Sequence, residues 1–416
     1  MEQNNKTIAF QSWWELTSIQ VGGVICLPIL MIGVELGRIC GFPLAVRAIC
    51  IGNTILFLLG MVIARMSYQY KKNTVENAAR YFANSGSHIF TFVLVSGCIG
   101  WFAIQLDVIG LSILEQVNGL LGYSVSTSYG YCINIVLGTI MTSLCMHGIR
   151  SIEKLSSVSM PALVLTLFYM VYLAHKMPSY DVEITFNPLL LLQGVTLVLV
   201  AVLLAVVDMP TYYRFARSGV DAYISTALLY LVCTPLLEIT GAYIAARGQV
   251  DSVISLTSSS SGLFGSLWIL VFLILAGWTT NNANLFSAAS SLKIWLPSLA
   301  YAQRVVIAGV IGTILSCFNV MQNFGTLLEC MSIAVGSFGA IIAVQYCACV
   351  LDKDFTIFPL LNTIIWFVAT SYGIGSFFGL LSITSFAVLD TFIFAFIASI
   401  ISIIYIRVST RKEKYA

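Results

Sequence analysis

Two stretches of this chain hold polar residues that are costly in an otherwise apolar sequence, and their spacing gives each a definite chemistry. In GCIGWFAIQLDVIG, Trp101 and Gln105 lie four residues apart and share one face of a helix. An indole stacks on a flat ring and an amide pairs with ring donors and acceptors, which suits a heteroaromatic solute. A glutamine hydrogen bond between helices beside a packing tryptophan is the competing reading of that pair. In LAGWTTNNANLFSAASSLK, Thr280, Asn281 and Asn284 fall on one face, with Thr279 beside them. Uncharged hydroxyl and carbonyl oxygens suit a weakly held monovalent cation, whereas Mg2+ or Ca2+ calls for carboxylates. Five amide or hydroxyl residues within six positions point to a cavity rather than to close packing.

Acidic residues in apolar runs raise the question of proton coupling. Asp107 lies two residues past Gln105 on a different helical face and is the first candidate to accept a coupling proton or to pair with a buried cation such as Arg47. Glu238 poses the same question further along. Asp208 precedes Pro210 beside Arg214 and Arg217, where a structural ion pair is the expected role.

The elements that position these residues are membrane helices. Of 416 residues, 59% are hydrophobic and 9% charged, against about 25% charged in a soluble domain. Apolar runs long enough to cross a bilayer recur along the whole chain, so the fold class is all-α and polytopic, with about twelve spans. The spans that matter most cover residues 14–36, 88–114, 189–207, 222–246 and 262–292. With the N-terminus inside, about four-fifths of the cations fall on the cytoplasmic side. Only Arg38, Lys176 and Arg247 fall outside, with Arg47 in the outer half of a span, so both termini are expected in the cytoplasm. The opening MEQNNKTIAFQSWWEL has one lysine and no cleavage pattern and is read as an uncleaved cytoplasmic tail. Between the second and third spans, YQYKKNTVENAARYFANSGSH is amphipathic enough for a short interfacial helix, with a solvated basic loop as the alternative. DSVISLTSSSS reads as an external serine-rich loop.

Solute sites in membrane carriers sit near the midplane, where an interrupted helix frees backbone carbonyls. Gly22, Gly23 and Pro28 lie near the middle of the first span and mark such a break. In a chain of two inverted five-helix repeats the sixth span should echo it, yet residues 197–207 read as an unbroken apolar helix.

Other function classes find little support. No basic stripe interleaved with aromatics suggests nucleic acid as a partner. Three histidines without a ligand-spaced companion and eleven scattered cysteines indicate neither an enzyme nor a resident metal or cofactor. Channel-type charge rings and repeated filter loops are missing from the sequence.

Four segments together resemble the nucleobase:cation symporter-1 family, which includes cytosine, hydantoin and allantoin permeases. They are Trp14 through Gly22 to Cys26-Leu27-Pro28, Trp101-x-x-x-Gln105, Pro210-Thr-Tyr-Tyr-Arg214-Phe215-Ala216, and Trp278-Thr279-Thr280 followed by Asn284-Leu285-Phe286-Ser287. The resemblance implies a five-plus-five inverted-repeat, sodium-symporter-like fold with two extra C-terminal helices. It divides the chain into a cytoplasmic tail at 1–13, a ten-helix transport core at 14–351, two further spans at 352–408 and a second cytoplasmic tail at 409–416. It also implies sodium ligands: the carbonyls of Gly22, Ile25 and Ala276 and the hydroxyls of Thr279 and Thr280. Solute contacts carry over to Cys26, Trp101 and Gln105, with Asn281 and Asn284 subject to a one-residue slip.

The activity implied is symport of a nucleobase-like heterocycle, such as cytosine or a purine, with sodium or a proton across the cytoplasmic membrane. An amino-acid or other small-solute symporter of the same fold is the alternative. Two departures stand out. Cys26 replaces a polar or aromatic residue of the relatives, and residues 201–206 carry no glycine and no aromatic residue.

Overall fold

The computed structural model describes residues 10–178, 186–247, 253–318 and 323–415. Among them, ten helices are long and apolar enough to cross a membrane. Two more helices, bent by 64° across a short break, make an eleventh span, and the shorter apolar helix Tyr301–Leu315 supplies the remaining one of the twelve expected.

The bent pair is α1 (Trp13–Val24) and α2 (Leu27–Cys40), followed by α3 (Phe42–Tyr70). Gly22 and Gly23 weaken the end of α1, and Cys26 is fully extended at φ −146° and ψ 161°. Pro28 sits in the first turn of α2, where its missing N–H removes no helical bond. The break expected from these residues therefore falls at Ile25 and Cys26, and it leaves carbonyls at the end of α1 outside the helical ladder.

Just before α1, Gln11 is tied to the stretch 215–217. Gln11 N donates to Phe215 O at 2.7 Å, and Arg217 N donates to Gln11 O at 2.8 Å. Residues 1–9 and 416 of the expected tails lie outside the described residues. Of the two readings of the segment between the second and third spans, a helix forms rather than a loop, as α4 (Thr74–Tyr81). Asn73 starts it by accepting from Glu76 N at 2.8 Å while Glu76 accepts from Asn73 N at 3.0 Å, a reciprocal cap.

The third to fifth spans are α5 (Asn84–Leu121), α6 (Ser128–Cys145) and α7 (Ile149–His175). The sixth, α8 (Pro188–Val207), runs unbroken through its Leu- and Val-rich middle and stops at Asp208, just before the short α9 (Pro210–Tyr213). The seventh joins α10 (Gly219–Leu228) to α11 (Thr234–Arg247) through a π-helical turn, Leu229–Cys233. Pro235 follows that turn and lacks the N–H that an α-helical ladder would use.

Helix α12 (Val253–Ser291) begins inside the serine-rich stretch. The expected external loop is thus helical from Val253 onward, because no proline or glycine interrupts 253–261 and serine is a moderate helix former. Residues 251 and 252 lie outside the described residues. The chain continues as α13 (Tyr301–Leu315), α14 (Phe324–Leu351), α15 (Pro359–Phe377) and α16 (Ala387–Tyr415), with α15 and α16 packed on α14 and on each other.

Three packings place the polar segments. Helix α12 lies against α1, α5 and α7, while α8 lies against α2, α3 and α14. Helices α2 and α11 approach to backbone contact. A Cβ on Gly33 would strike the Glu238 backbone, and one on Gly241 would strike the Leu30 carbonyl, so only glycine permits this approach. Glu238 is buried there, and its carboxylate accepts from Asn53 Nδ2 at 2.6 Å.

Candidate cation and solute site

At the break in the first span, oxygen atoms from two helices converge. Thr280 Oγ1 on α12 donates to Ala276 O at 2.9 Å and to Gly22 O at 3.3 Å across the helix interface. Thr279 Oγ1 is within 3.0 Å of both Ala276 O and Leu275 O. Ile25, which follows α1, has ψ 91°, a non-helical value. Of the five expected cation ligands, Thr280 thus touches both Gly22 O and Ala276 O, Thr279 bonds Ala276 O on the same helix, and Ile25 is at the break that follows α1. Their oxygens carry no formal charge, which fits a monovalent alkali cation and not a divalent one.

A small, partly open cavity of about 80 Å³ adjoins this cluster. Its polar wall carries Gln20, Cys26, Thr280 and Asn284, its flat wall Trp101, and its aliphatic wall Ala201, Val202 and Ala205 of α8. Asp208 and Tyr212 also line it. Cation cluster and cavity share Thr280, so a solute and an ion held here would lie side by side.

The remaining expected residues separate. Gln105 is not itself among the cavity-lining residues; it is buried on α5 beside the Cys26 thiol, which does line the cavity, and its Nε2 has no hydrogen-bond partner. Asn284 is on the cavity wall with a buried Nδ2 that also lacks a partner. Asn281 does not face the cavity: its Nδ2 donates to Met141 Sδ of α6 at 3.4 Å. The one-face grouping of Thr280, Asn281 and Asn284 thus holds for the i,i+4 pair only, because one residue past Thr280 turns the helix by about 100°. Asp107 is 1% exposed and stands outside the cavity lining.

The expected ion pair at Asp208 is not formed. Arg217 pairs instead with Asp221, at 3.4 Å. Asp208 accepts from Thr74 Oγ1 and Thr211 Oγ1, both at 2.7 Å, and from Ser287 Oγ at 2.5 Å. Arg214 acts on Asp208 only from beyond ion-pair distance, and the three short hydroxyl bonds satisfy the buried carboxylate in place of a direct arginine contact. Tyr212 Oη donates to Ala283 O at 2.7 Å, a second tie between the end of α8 and α12.

Sequence reasoning missed Gln20, Asp208 and Tyr212 as cavity residues. Gln20 was legible as an amide two residues before the Gly22 break, and its Nε2 is buried without a partner. Nothing in the sequence could show that the α8 to α9 corner folds back beneath the cavity.

The family model described as permease for cytosine/purines, uracil, thiamine, allantoin matches residues 7–354. The chain belongs to this permease family. It is therefore a multi-pass membrane transport protein, in line with its all-helical apolar architecture. It is similar to the cytosine permease of Escherichia coli (strain K12), 25% identical over 346 residues and covering 78% of each chain. Among solved structures it resembles Mhp1, described as a nucleobase-cation-symport-1 family transporter, in a closed conformation with bromovinylhydantoin bound. The TM-score is 0.75 at 18% identity, covering 96% of this chain and 94% of that one. A Na+-coupled sialic acid symporter in a substrate-bound outward-open state matches with a TM-score of 0.67 at 10% identity, covering 95% and 90%. At these identities the structures establish the fold, which is the sodium-symporter-like one expected from the sequence.

Proposed function

We propose that this permease carries a flat, neutral, nucleobase-like heterocycle together with sodium, both held at the break in the first span. The observation that carries this reading is the sharing of Thr280 by the neutral oxygen cluster and the cavity. Gly22, Ile25, Ala276, Thr279 and Thr280 would hold the ion. Trp101 would stack on the ring, while Gln20, Cys26, Gln105 and Asn284 would supply the polar edge. Asn281, turned to Met141, would act through packing.

The aliphatic wall at Ala201, Val202 and Ala205 replaces a second stacking surface, so the preferred solute carries one polar edge and one apolar edge. The amino-acid alternative is disfavoured by Asp208. A carboxylate on the cavity wall that accepts from three hydroxyls opposes an incoming solute carboxylate. Sodium is preferred over a proton because the hydroxyl and carbonyl oxygens at the break carry no formal charge and suit a monovalent metal cation.

Bound sodium would stabilise the broken first span and raise solute affinity, and the solute would raise sodium affinity equally. The cation distribution supports a cytoplasmic membrane with both termini inside, residues 14–351 forming the transport core and 352–408 two added spans. Thermal-shift titration of the purified protein with bases, nucleosides and amino acids, with and without sodium, tests the proposal. A base should stabilise the protein more in sodium than in choline. Stabilisation by amino acids alone would overturn the solute assignment, and stabilisation indifferent to sodium would overturn the ion.

A further inference from the structure

Helix α7 packs on both α1 and α12, so it forms a third wall beside the cation cluster. From that wall Ser156 points at the cluster. A Cβ built on Gly22 would lie 2.9 Å from Ser156 Oγ and 3.3 Å from Thr279 Cβ, so the serine and the threonine meet on the Cβ side of the same glycine. Ser156 is 0% exposed, and its Oγ has no hydrogen-bond partner.

Ser159 on the same helix is likewise buried without a partner, so what sets Ser156 apart is its direction, toward Gly22 and Thr279. Serine and threonine hydroxyls in apolar helices ordinarily donate back to a carbonyl one turn earlier, as Thr166 does to Ala162 O on this same helix. A fully buried hydroxyl left unmade carries a desolvation cost that a bound ligand removes. Gly22 leaves this approach open: a Cβ there would come within 2.9 Å of the Ser156 hydroxyl, tighter than an ordinary contact.

We propose that Ser156 Oγ is a further cation ligand, reaching in from α7 to the oxygens of Gly22, Ala276, Thr279 and Thr280. The inference rests on the sodium reading of that cluster and extends it. The site then spans three helices rather than two, and holding the ion requires α7 in place as well as α1 and α12. A hydroxyl oxygen keeps the site neutral and so keeps its preference for a monovalent ion.

The test is sodium titration of Ser156→Ala, Ser156→Thr and wild-type protein, read both as thermal stabilisation by sodium alone and as solute affinity at saturating sodium. Ser156→Ala should raise the half-saturating sodium concentration about five-fold, the scale of one neutral oxygen contact. Its solute affinity in saturating sodium should stay at the wild-type value, and its melting temperature in choline should not fall. Ser156→Thr, which keeps the hydroxyl, should restore the sodium midpoint. A wild-type midpoint in Ser156→Ala, with Thr280→Ala still abolishing the sodium response, would overturn the Ser156 assignment alone. No sodium response in the wild-type protein would overturn both readings. A shift in choline stability with no change in sodium midpoint would assign Ser156 to packing and would also overturn the proposal.

Discussion

The Thr280 hydroxyl donates to the Gly22 carbonyl oxygen at 3.3 Å, joining α12 to the end of α1 where the first span breaks. Both groups are among the proposed sodium ligands, and Thr280 is also on the cavity wall. Thr280→Ala removes the oxygen shared by ion and solute. Sodium at a hundred times its dissociation constant should stabilise the wild-type protein by about 2.7 kcal/mol, and the variant should show no such gain. Its solute affinity should no longer rise with sodium. Unchanged sodium dependence in Thr280→Ala would refute the ion site.

Trp101 tests the other half of the site. The indole forms the flat wall of the cavity and stands apart from the oxygen cluster, so Trp101→Ala should separate the two ligands. Loss of an aromatic stack and its buried area costs about 2 kcal/mol, roughly a thirty-fold weaker solute. Stabilisation by sodium alone should persist. Calorimetric titration with a base, beside a sodium melting series, reads both quantities, and equal losses in the two would remove the distinction between the subsites.

Beneath the cavity, Tyr212 and Asp208 tie the end of α8 to Ala283 and Ser287 of α12. Tyr212 and Asp208 both line the cavity, as does Cys98. Tyr212→Phe deletes one neutral hydrogen bond, worth about 1 kcal/mol, and should favour opening at that end. In a background where Cys98 is the only thiol, its alkylation should accelerate about five-fold. An unchanged alkylation rate would show that these ties do not gate access.

Much of this arrangement was legible because lipid imposes simple rules. Span number followed from apolar length, and the break at Ile25 and Cys26 followed from Gly22, Gly23 and Pro28, since two glycines and a proline in one membrane helix weaken its ladder. The unbroken α8 followed equally from its Leu and Val run. What periodicity could not supply was rotation and distance between helices. Asn281 and Asn284 look equivalent in sequence, yet one faces Met141 and the other the cavity. Asp208 looked like the partner of nearby arginines, whereas its hydroxyl partners Thr74 and Ser287 lie far away in the chain. Ser156 was invisible for the same reason, because its meaning depends on what α7 faces.

Asp107→Asn tests the proposed coupling to sodium. Asp107 is buried on α5 outside the cavity lining, so neutralising it should leave the oxygen cluster intact. Asp107→Asn should keep the sodium midpoint for solute binding within about two-fold of wild type, less than the loss of one ligand contact. In vesicles, uptake should remain driven by a sodium gradient and stay insensitive to a protonophore when the sodium gradient is clamped. Collapse of sodium-driven uptake in Asp107→Asn, with sodium binding retained, would move the coupling role to this carboxyl.

The contact between α2 and α11 makes a prediction about stability. Gly33 faces the Glu238 backbone so closely that an added Cβ has nowhere to go, and the obstacle is main chain rather than the tip of a flexible side chain. Gly33→Ala must push the two helices apart, and overpacking of this kind costs about 1–3 kcal/mol. Gly375, on α15, has nothing within 4 Å of the same added atom. Gly375→Ala should therefore be neutral or gain about 0.5–1 kcal/mol from reduced backbone freedom. Thermal unfolding of the two variants in the same detergent should place Gly33→Ala below wild type and Gly375→Ala at or above it. Equal melting temperatures would mean that α2 and α11 yield to each other, and that the two helices are not held as a single packed unit beside the broken span.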